Sequence, residues 1–403
     1  MKIVHVHKYF YLRRGAERYM LGLMRLQRDA GHEVFPFSMT YRKNIKNPWS
    51  NFFVSELDTE HVGKGIGAVR QTLRAFWSLE ARRKFSSFLD TVKPDVVHIH
   101  NIYTHISPSI LGACKKRGIP VVMTVHDHGL ISANYALWDG QKPMDPKTLS
   151  IWKVAKTGYI KNSYLATFGL ELVVRLQRVL GMYDRYIDRY IAVSNYMKKS
   201  LVAAGYPKEK IEVLYNFADV AFRPARKKIN KNIVFVGSLE NNKGVATLIE
   251  AIRSFKDAKL FIAGTGSDEK ELRERAQGMK QVKFLGFVAG TELEDLVASS
   301  RVAVVPSIWN EPFGLVAVEA MALGTPVIVS DRGGLPEIVE SGISGEIFKA
   351  GNVESLRKAL SNVLEDDDYA GDLAKDAYKR AKEIADPQKH LKAVMGIYKE
   401  LMP

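Results

Sequence analysis

Short apolar runs alternate with amphipathic segments of about ten residues along nearly the whole chain, and the alternation happens twice. In the first half the runs are Lys2–His7, Pro94–His100, Pro120–Val125 and Tyr190–Ser194. In the second half they are Asn232–Gly237, Lys259–Ala263, Val282–Leu285, Val302–Pro306 and Thr325–Ser330. Runs that are apolar at successive positions must be covered on both faces, which is the condition of a parallel sheet sandwiched by helices. The 403 residues suffice for two cores of ordinary size. The expected fold class is therefore α/β, with two doubly wound parallel sheets. Tyr215–Pro224 reads as the linker between them.

Open sheets of this kind bind ligands beyond the C-terminal ends of their strands, so those ends are where chemistry is sought. The stretch VVPSIWNEPFGLVAVEAMALGTPVIVSDRGGLPEIV, Val304 to Val339, is the richest. Its first strand runs into a loop carrying Glu311, then into a helix from Gly314 that carries Glu319. Backbone N–H groups of Phe313, Gly314 and Leu315 would stand at that helix N-terminus, a natural seat for phosphate. Acidic residues near a helix start are also favourable without a ligand. Lys243, in the loop after Asn232–Gly237, would suit phosphate, but alone it is no more telling than a surface lysine. What favours a ligand is convergence of these groups at the ends of separate strands of one sheet.

The first half offers less. Gly15 sits in a turn between the first strand and the helix Ala16–Ala30, without the three glycines of a dinucleotide fingerprint. His126-Asp127-His128 closes the strand Pro120–Val125. Two imidazoles at i and i+2 have no third ligand of clear spacing, so no metal is expected, and hydrogen bonding to a sugar or phosphate is the better use. His100, Asn101 and His105 are expected to face the crevice, and His98 to be structural.

The net charge of +15 favours an acidic partner: a nucleotide, a phosphorylated lipid, an anionic membrane face or nucleic acid. No recognition module accompanies the basic residues, so nucleic acid is not expected. Arg74, Arg82, Arg83 and Lys84 fall on one expected helix, Val69–Leu89, whose apolar face would include Leu73, Phe76, Leu79 and Phe85. Lys153, Lys156, Lys161, Arg175 and Arg178 surround another, Gly169–Leu180. That helix could lie on an anionic membrane surface with its arginines at the headgroups, or simply cover the sheet. Asp366-Asp367-Asp368 reads as a solvated turn. A lone Cys114 leaves no intrachain disulfide or cysteine cluster for zinc. No apolar run is long enough to span a bilayer, and the N-terminus reads as a strand rather than a signal peptide. The expected location is cytoplasmic, peripheral to the inner face of the cell membrane.

The chain resembles the family-4 retaining glycosyltransferases of bacterial and archaeal polysaccharide biosynthesis, which have the GT-B fold of two Rossmann-like domains facing across a cleft. The matching segments are RRGAER (Arg13–Arg18), TVHDH (Thr124–His128), VLYNFAD (Val213–Asp219), VGSLENNKG (Val236–Gly244) and, most specifically, EPFGLVAVEAMALGTPVIVSDRGGLPE (Glu311–Glu337). The resemblance implies an acceptor domain at 1–215, a nucleotide-sugar domain at 216–385 and a C-terminal helix at 386–403 that returns to the first. It implies that Gly15 approaches the diphosphate or donor sugar and that His126 bonds near the reacting face of the sugar. Lys243 would neutralise the diphosphate, Glu311 contact donor-sugar hydroxyls, and Glu319 hold the ribose. The N–H groups of Phe313, Gly314 and Leu315 would meet sugar and phosphate, and Gly286-Phe287-Val288 would read the base. Two departures stand out: Arg14-Gly15 replaces a glycine pair, and Ser238 stands where the family has an arginine that would clamp phosphate.

The function implied is a metal-independent retaining hexosyltransferase with no cofactor beyond its UDP- or GDP-sugar donor. Its acceptor would be a saccharide or a lipid-linked saccharide. The alternatives are a soluble-acceptor sugar or sugar-phosphate synthase, and a non-catalytic nucleotide-sugar-binding protein.

Overall fold

The computed structural model describes residues 1–57, 66–226 and 228–402, with the side chains of 66–70 left aside. It divides into two compact units. Unit 1 comprises Met1–Asp139, Met144–Leu214 and Pro387–Pro403; unit 2 comprises Gly140–Pro143 and Tyr215–Asp386.

Unit 1 holds β1 (Lys2–Val6), β2 (Glu33–Phe37), β3 (Val96–Ile99), β4 (Val121–Val125), β5 (Arg189–Ala192) and β6 (Ile211–Val213). They form one sheet in the order β2-β1-β3-β4-β5-β6, every pair parallel. Unit 2 repeats the plan with β7 (Asn232–Val236), β8 (Lys259–Ala263), β9 (Val282–Gly286), β10 (Val302–Val305), β11 (Val327–Ser330) and β12 (Gly345–Phe348). Its order is β12-β11-β10-β7-β8-β9, again all parallel. The central strands β3, β4 and β10 are buried at every position, which is why they read as unbroken apolar runs. Each sheet reverses its strand order once, between β1 and β3 in unit 1 and between β7 and β10 in unit 2. A ligand site of a doubly wound sheet belongs at that reversal.

The last helix, Pro387–Leu401, packs on the helix Gly15–Asp29 within unit 1. Tyr19 Oη lies 2.8 Å from His390 Nε2, and Gln27 Nε2 donates to Tyr398 Oη at 3.3 Å. Among the described residues no helix is long and apolar enough to cross a membrane.

Four expectations are corrected. The helix expected over Val69–Leu89 is two helices, Ile66–Phe76 and Leu79–Val92, the second capped by Ser78 accepting from the Ala81 N–H at 3.1 Å. Leu73 and Leu79, assigned to its apolar face, are 62% and 72% exposed. Asp366-Asp367-Asp368 is not a solvated turn: Asp366 caps the helix Asp367–Ile384, and Asp367 pairs at 2.5 Å with Arg301, which is fully buried. Gly15 is the first residue of its helix rather than a turn before it, with Arg14 as the cap. Arg175 and Arg178 turn into the protein: Arg175 binds Glu171 Oε1 at 2.8 Å and the Leu149 carbonyl at 2.9 Å, and Arg178 donates to the Ile131 carbonyl at 3.3 Å.

Candidate functional site

In unit 2 the two loops that leave β7 and β10, the strands flanking the reversal, bring Lys243 and Glu311 together. Lys243 Nζ is 2.7 Å from Glu311 Oε1. Lys243 ends the short turn Asn241–Lys243, and Gly244 behind it adopts φ +69. A Cβ at Gly244 would lie 2.0 Å from the Pro306 carbonyl, so only glycine lets the two loops approach this closely.

Two more donors reach the same oxygen. Ser307 Oγ donates to Glu311 Oε1 at 2.7 Å and Trp309 Nε1 at 2.9 Å. Lys243 Nζ also sits 4.8 Å from the Trp309 ring centre, a cation–π contact. Burial opposes ionisation of Glu311, but the Lys243 charge and the bonds from Lys243, Ser307 and Trp309 together hold its pKa below the ordinary carboxylate range. The residue is thus a fixed anion, with all three donors on Oε1. A lysine ammonium has three donors, so Lys243 can hold Glu311 with one and offer others to phosphate oxygens.

The loop backbone is fixed from behind. Gly334 N donates to the Glu311 carbonyl at 2.8 Å, and Gly333, at φ +61, lies so close that its Cβ would sit 2.1 Å from that carbonyl. Gly333→Ala is expected to destabilise unit 2 by about 2 kcal/mol or more, from left-handed backbone and collision together. Thermal denaturation reads the loss; an unchanged Tm would mean that Gly333 does not hold the Glu311 loop.

The remaining expected residues of unit 2 lie on the loops and helix that follow β7, β9 and β10. Gly314, at φ +128, precedes the helix Leu315–Ala322 and has no side chain with which to cap its first N–H groups. Phe313 is buried and stacks on Tyr215, ring centres 5.7 Å apart. Leu315 opens the helix, and Glu319 is buried on it at 9% exposure. Ser238 is half-buried just beyond β7. Val288 is half-buried beyond β9, next to Phe287, which is 81% exposed.

In unit 1 the strand ends carry histidines instead. β1 and its end contribute His5 and His7, β3 and its end His98 and His100, and the end of β4 contributes His126. Register puts His5 beside His98. His5 Nε2 is 2.7 Å from Gln27 Oε1, His5 Nδ1 is 3.0 Å from His100 Nε2, and His100 Nδ1 is 3.0 Å from His126 Nε2. The His98 ring stacks 4.5 Å from His100 and bridges Tyr398 Oη at 2.5 Å and Thr124 Oγ1 at 2.7 Å. His126 is half-buried, whereas His5, His98 and His100 are fully buried.

His5, His98 and His100 bring ring nitrogens within 4.8 Å of one another, a spacing that could hold a metal ion. All six of their nitrogens, however, are engaged in the bonds just given. Burial lowers the His5 pKa to about 4 and the His126 pKa to about 3, with His7 adding to the latter, so these rings are neutral near pH 7.

The trio at the end of β4 divides. His126 closes the imidazole chain, Asp127 caps the turn His128–Leu130, and His128 is fully buried against Tyr196. His100, Asn101 and His105 are buried, and Gly15 is exposed at its helix start. Ser307 and Trp309 were not singled out from the sequence. Their signal is position alone, four and two residues before Glu311, which becomes readable only when the loop curls their donors onto one oxygen.

The comparisons with known proteins agree with this plan. Residues 13–222 match the model of Glycosyltransferase Family 4, and residues 216–382 that of Glycosyl transferases group 1. An uncharacterized glycosyltransferase of Methanocaldococcus jannaschii is 29% identical over 351 residues, 81% of each chain. A phosphatidyl-myo-inositol mannosyltransferase of Mycolicibacterium smegmatis is 27% identical over 365 residues, 88% of this chain and 82% of the relative. Among solved structures, Anabaena HepE in complex with UDP and glucose superposes with a TM-score of 0.68 at 19% identity, covering 99% of this chain and 100% of that one.

Proposed function

The chain belongs to glycosyltransferase family 4, and we propose that it is a retaining hexosyltransferase whose unit 2 holds a nucleotide-sugar donor. The single observation that carries this reading is the convergence of Lys243, Ser307 and Trp309 on one oxygen of Glu311. A carboxylate fixed by three donors on Oε1 can turn Oε2 to sugar hydroxyls, while the ammonium beside it meets a diphosphate. The UDP and glucose in the Anabaena structure support a donor of this class.

In this reading the bond between the anomeric carbon and the diphosphate oxygen breaks with its electron pair leaving on the diphosphate. Lys243 and the N–H groups of Phe313, Gly314 and Leu315 stabilise that charge. The acceptor hydroxyl attacks from the face the diphosphate leaves, and its proton passes to the departing phosphate. Unit 1 takes the acceptor, a saccharide or lipid-linked saccharide, with His126 and Gly15 as its candidate sugar contacts. Glu319 holds the ribose, with Ser238 and Val288 toward the nucleotide.

Isothermal titration with UDP, GDP and ADP tests the donor site, and binding of none of them would sink it. Glu319→Gln is expected to weaken nucleotide and nucleotide sugar alike by about 1.5–3 kcal/mol, the worth of a charge-assisted hydrogen bond. Unchanged nucleotide affinity in the folded variant would take Glu319 out of the site.

A peripheral membrane association rests on exposed apolar side chains rather than on Arg175 and Arg178, which are bonded inward. The helix Tyr164–Val179 exposes Leu165, Leu172, Leu176 and Val179, with Leu165 at 77% and Val179 at 81%, and neighbouring Trp152 is 57% exposed. Exposed Lys153, Lys156 and Lys161 lie nearby in sequence. Apolar side chains inserted beside lysines are what an anionic bilayer surface retains, each lysine adding about 1 kcal/mol. Co-sedimentation with phosphatidylserine vesicles is expected for the wild type and lost in Leu165→Asp/Val179→Asp with nucleotide affinity intact. Equal sedimentation of the two would remove the membrane.

A further inference from the structure

The imidazole chain of unit 1 has a direction, and the direction is set far from its half-buried end at His126. Gln27 Oε1 can only accept, so at 2.7 Å it requires a proton on His5 Nε2. A neutral imidazole carries one N–H, which leaves His5 Nδ1 as an acceptor. His100 must then donate from Nε2 across 3.0 Å, leaving its own Nδ1 to accept from His126 Nε2 at 3.0 Å. By the same count His126 Nδ1 is a bare lone pair. It belongs to the half-buried member of the chain, whose other members are buried.

The other end of the same amide drives a second arm. Gln27 Nε2 donates to Tyr398 Oη at 3.3 Å. Tyr398 then donates to His98 Nδ1 at 2.5 Å, and His98 Nε2–H donates to Thr124 Oγ1 at 2.7 Å. Reversing the amide would reverse every proton in both arms. With the amide as it stands, the His126 ring accepts a hydrogen bond from a hydroxyl rather than donating one.

We propose that Gln27 is a positioning residue that fixes the tautomer of His126 through His5 and His100, so that His126 presents Nδ1 as an acceptor to a sugar hydroxyl. The functional half of this statement rests on the reading of His126 as a residue of the sugar site; the tautomer itself does not. Gln27 contacts no reacting atom, being fully buried on the helix Gly15–Asp29. Its influence travels only as proton position, which distinguishes it from a packing residue.

The test is nitrogen-15 NMR of the full-length protein labelled at histidine, with His126 assigned by loss of its signals in His126→Asn. In the wild type His126 is expected to carry its proton on Nε2; a proton on Nδ1 overturns the proposal without any further variant. Gln27→Met removes the terminal acceptor, and both tautomers of His126 should appear. Tyr398→Phe disturbs the same buried core but only the second arm, so His98 should change and His126 should not. An unshifted His126 in Gln27→Met, or an equal shift in Tyr398→Phe, overturns the relay. Transfer from a nucleotide sugar supplies the separate readout: kcat in Gln27→Met should fall in proportion to the tautomer lost, about twofold where the two are equally populated. A shifted tautomer with unchanged kcat leaves the relay standing and removes His126 from the sugar site.

Discussion

Lys243→Met is expected to cut kcat by about 10²–10³, the scale seen when one preorganised group that stabilises developing charge is removed. It should also lower the melting temperature of unit 2. Glu311 is held ionised by Lys243 against its burial, and without the ammonium a largely buried carboxylate keeps only the bonds from Ser307 and Trp309. Breaking such a pair from one side costs more than deleting both charges. Lys243→Met/Glu311→Gln should therefore recover most of the lost stability while remaining inactive. Initial rates and thermal melts on the two variants separate the effects. A single variant within about threefold of wild-type kcat would deny Lys243 its role, since that loss is worth under 1 kcal/mol.

Acid is expected to unfold unit 1 before unit 2. None of the ten histidines of the sequence falls in unit 2. Within unit 1, burial depresses His5 and His128 to about 4 and His7 and His126 to about 3, and holds His98, His100 and His105 well below the ordinary value of 6.5. These rings are neutral in the folded state and protonate near pH 6.5 in the unfolded chain. Their contribution is fully present above that pH and is lost as pH falls from 6.5 toward 4. Each such ring removes about 1.4 kcal/mol per pH unit, so three of them over two units remove about 8 kcal/mol, comparable with the whole stability of a domain. Hydrogen exchange across pH 7.5 to 4 should show protection lost first in β1, β3 and β4. Protection of those strands surviving to pH 4 would mean that the imidazole cluster is protonated in place.

The two sheets were readable because strands buried on both faces leave continuous apolar runs. The helix Val69–Leu89 was misread because Leu73, Phe76 and Leu79 keep a helical spacing across the break; Ser78, a capping residue, was the available signal. Glu311, Lys243 and the turn at Gly314 were readable as residues just beyond strand ends, and Glu319 as a residue of the helix that follows. That Lys243 and Glu311 meet was not, because they lie on different loops and only the parallel pairing of β7 with β10 makes those loops neighbours. The histidines gave the least away. Neither His5 nor Gln27 carries a local pattern, since their partners come from separate strands and helices. Arg175 and Arg178 read as the headgroup-facing residues of a membrane-lying helix and are bonded inward, and it is the leucines of the same helix that are exposed.

The most direct test of a retaining transfer from a nucleotide sugar is to follow wild type and Lys243→Met by phosphorus and proton NMR with α-linked UDP- and GDP-sugars and a saccharide acceptor panel. The expected result is release of nucleoside diphosphate by the wild type, matched by a new anomeric proton of the α configuration, with the variant slowed at least a hundredfold. Donors that stay intact while their nucleotide binds, or a product of the β configuration, would contradict it.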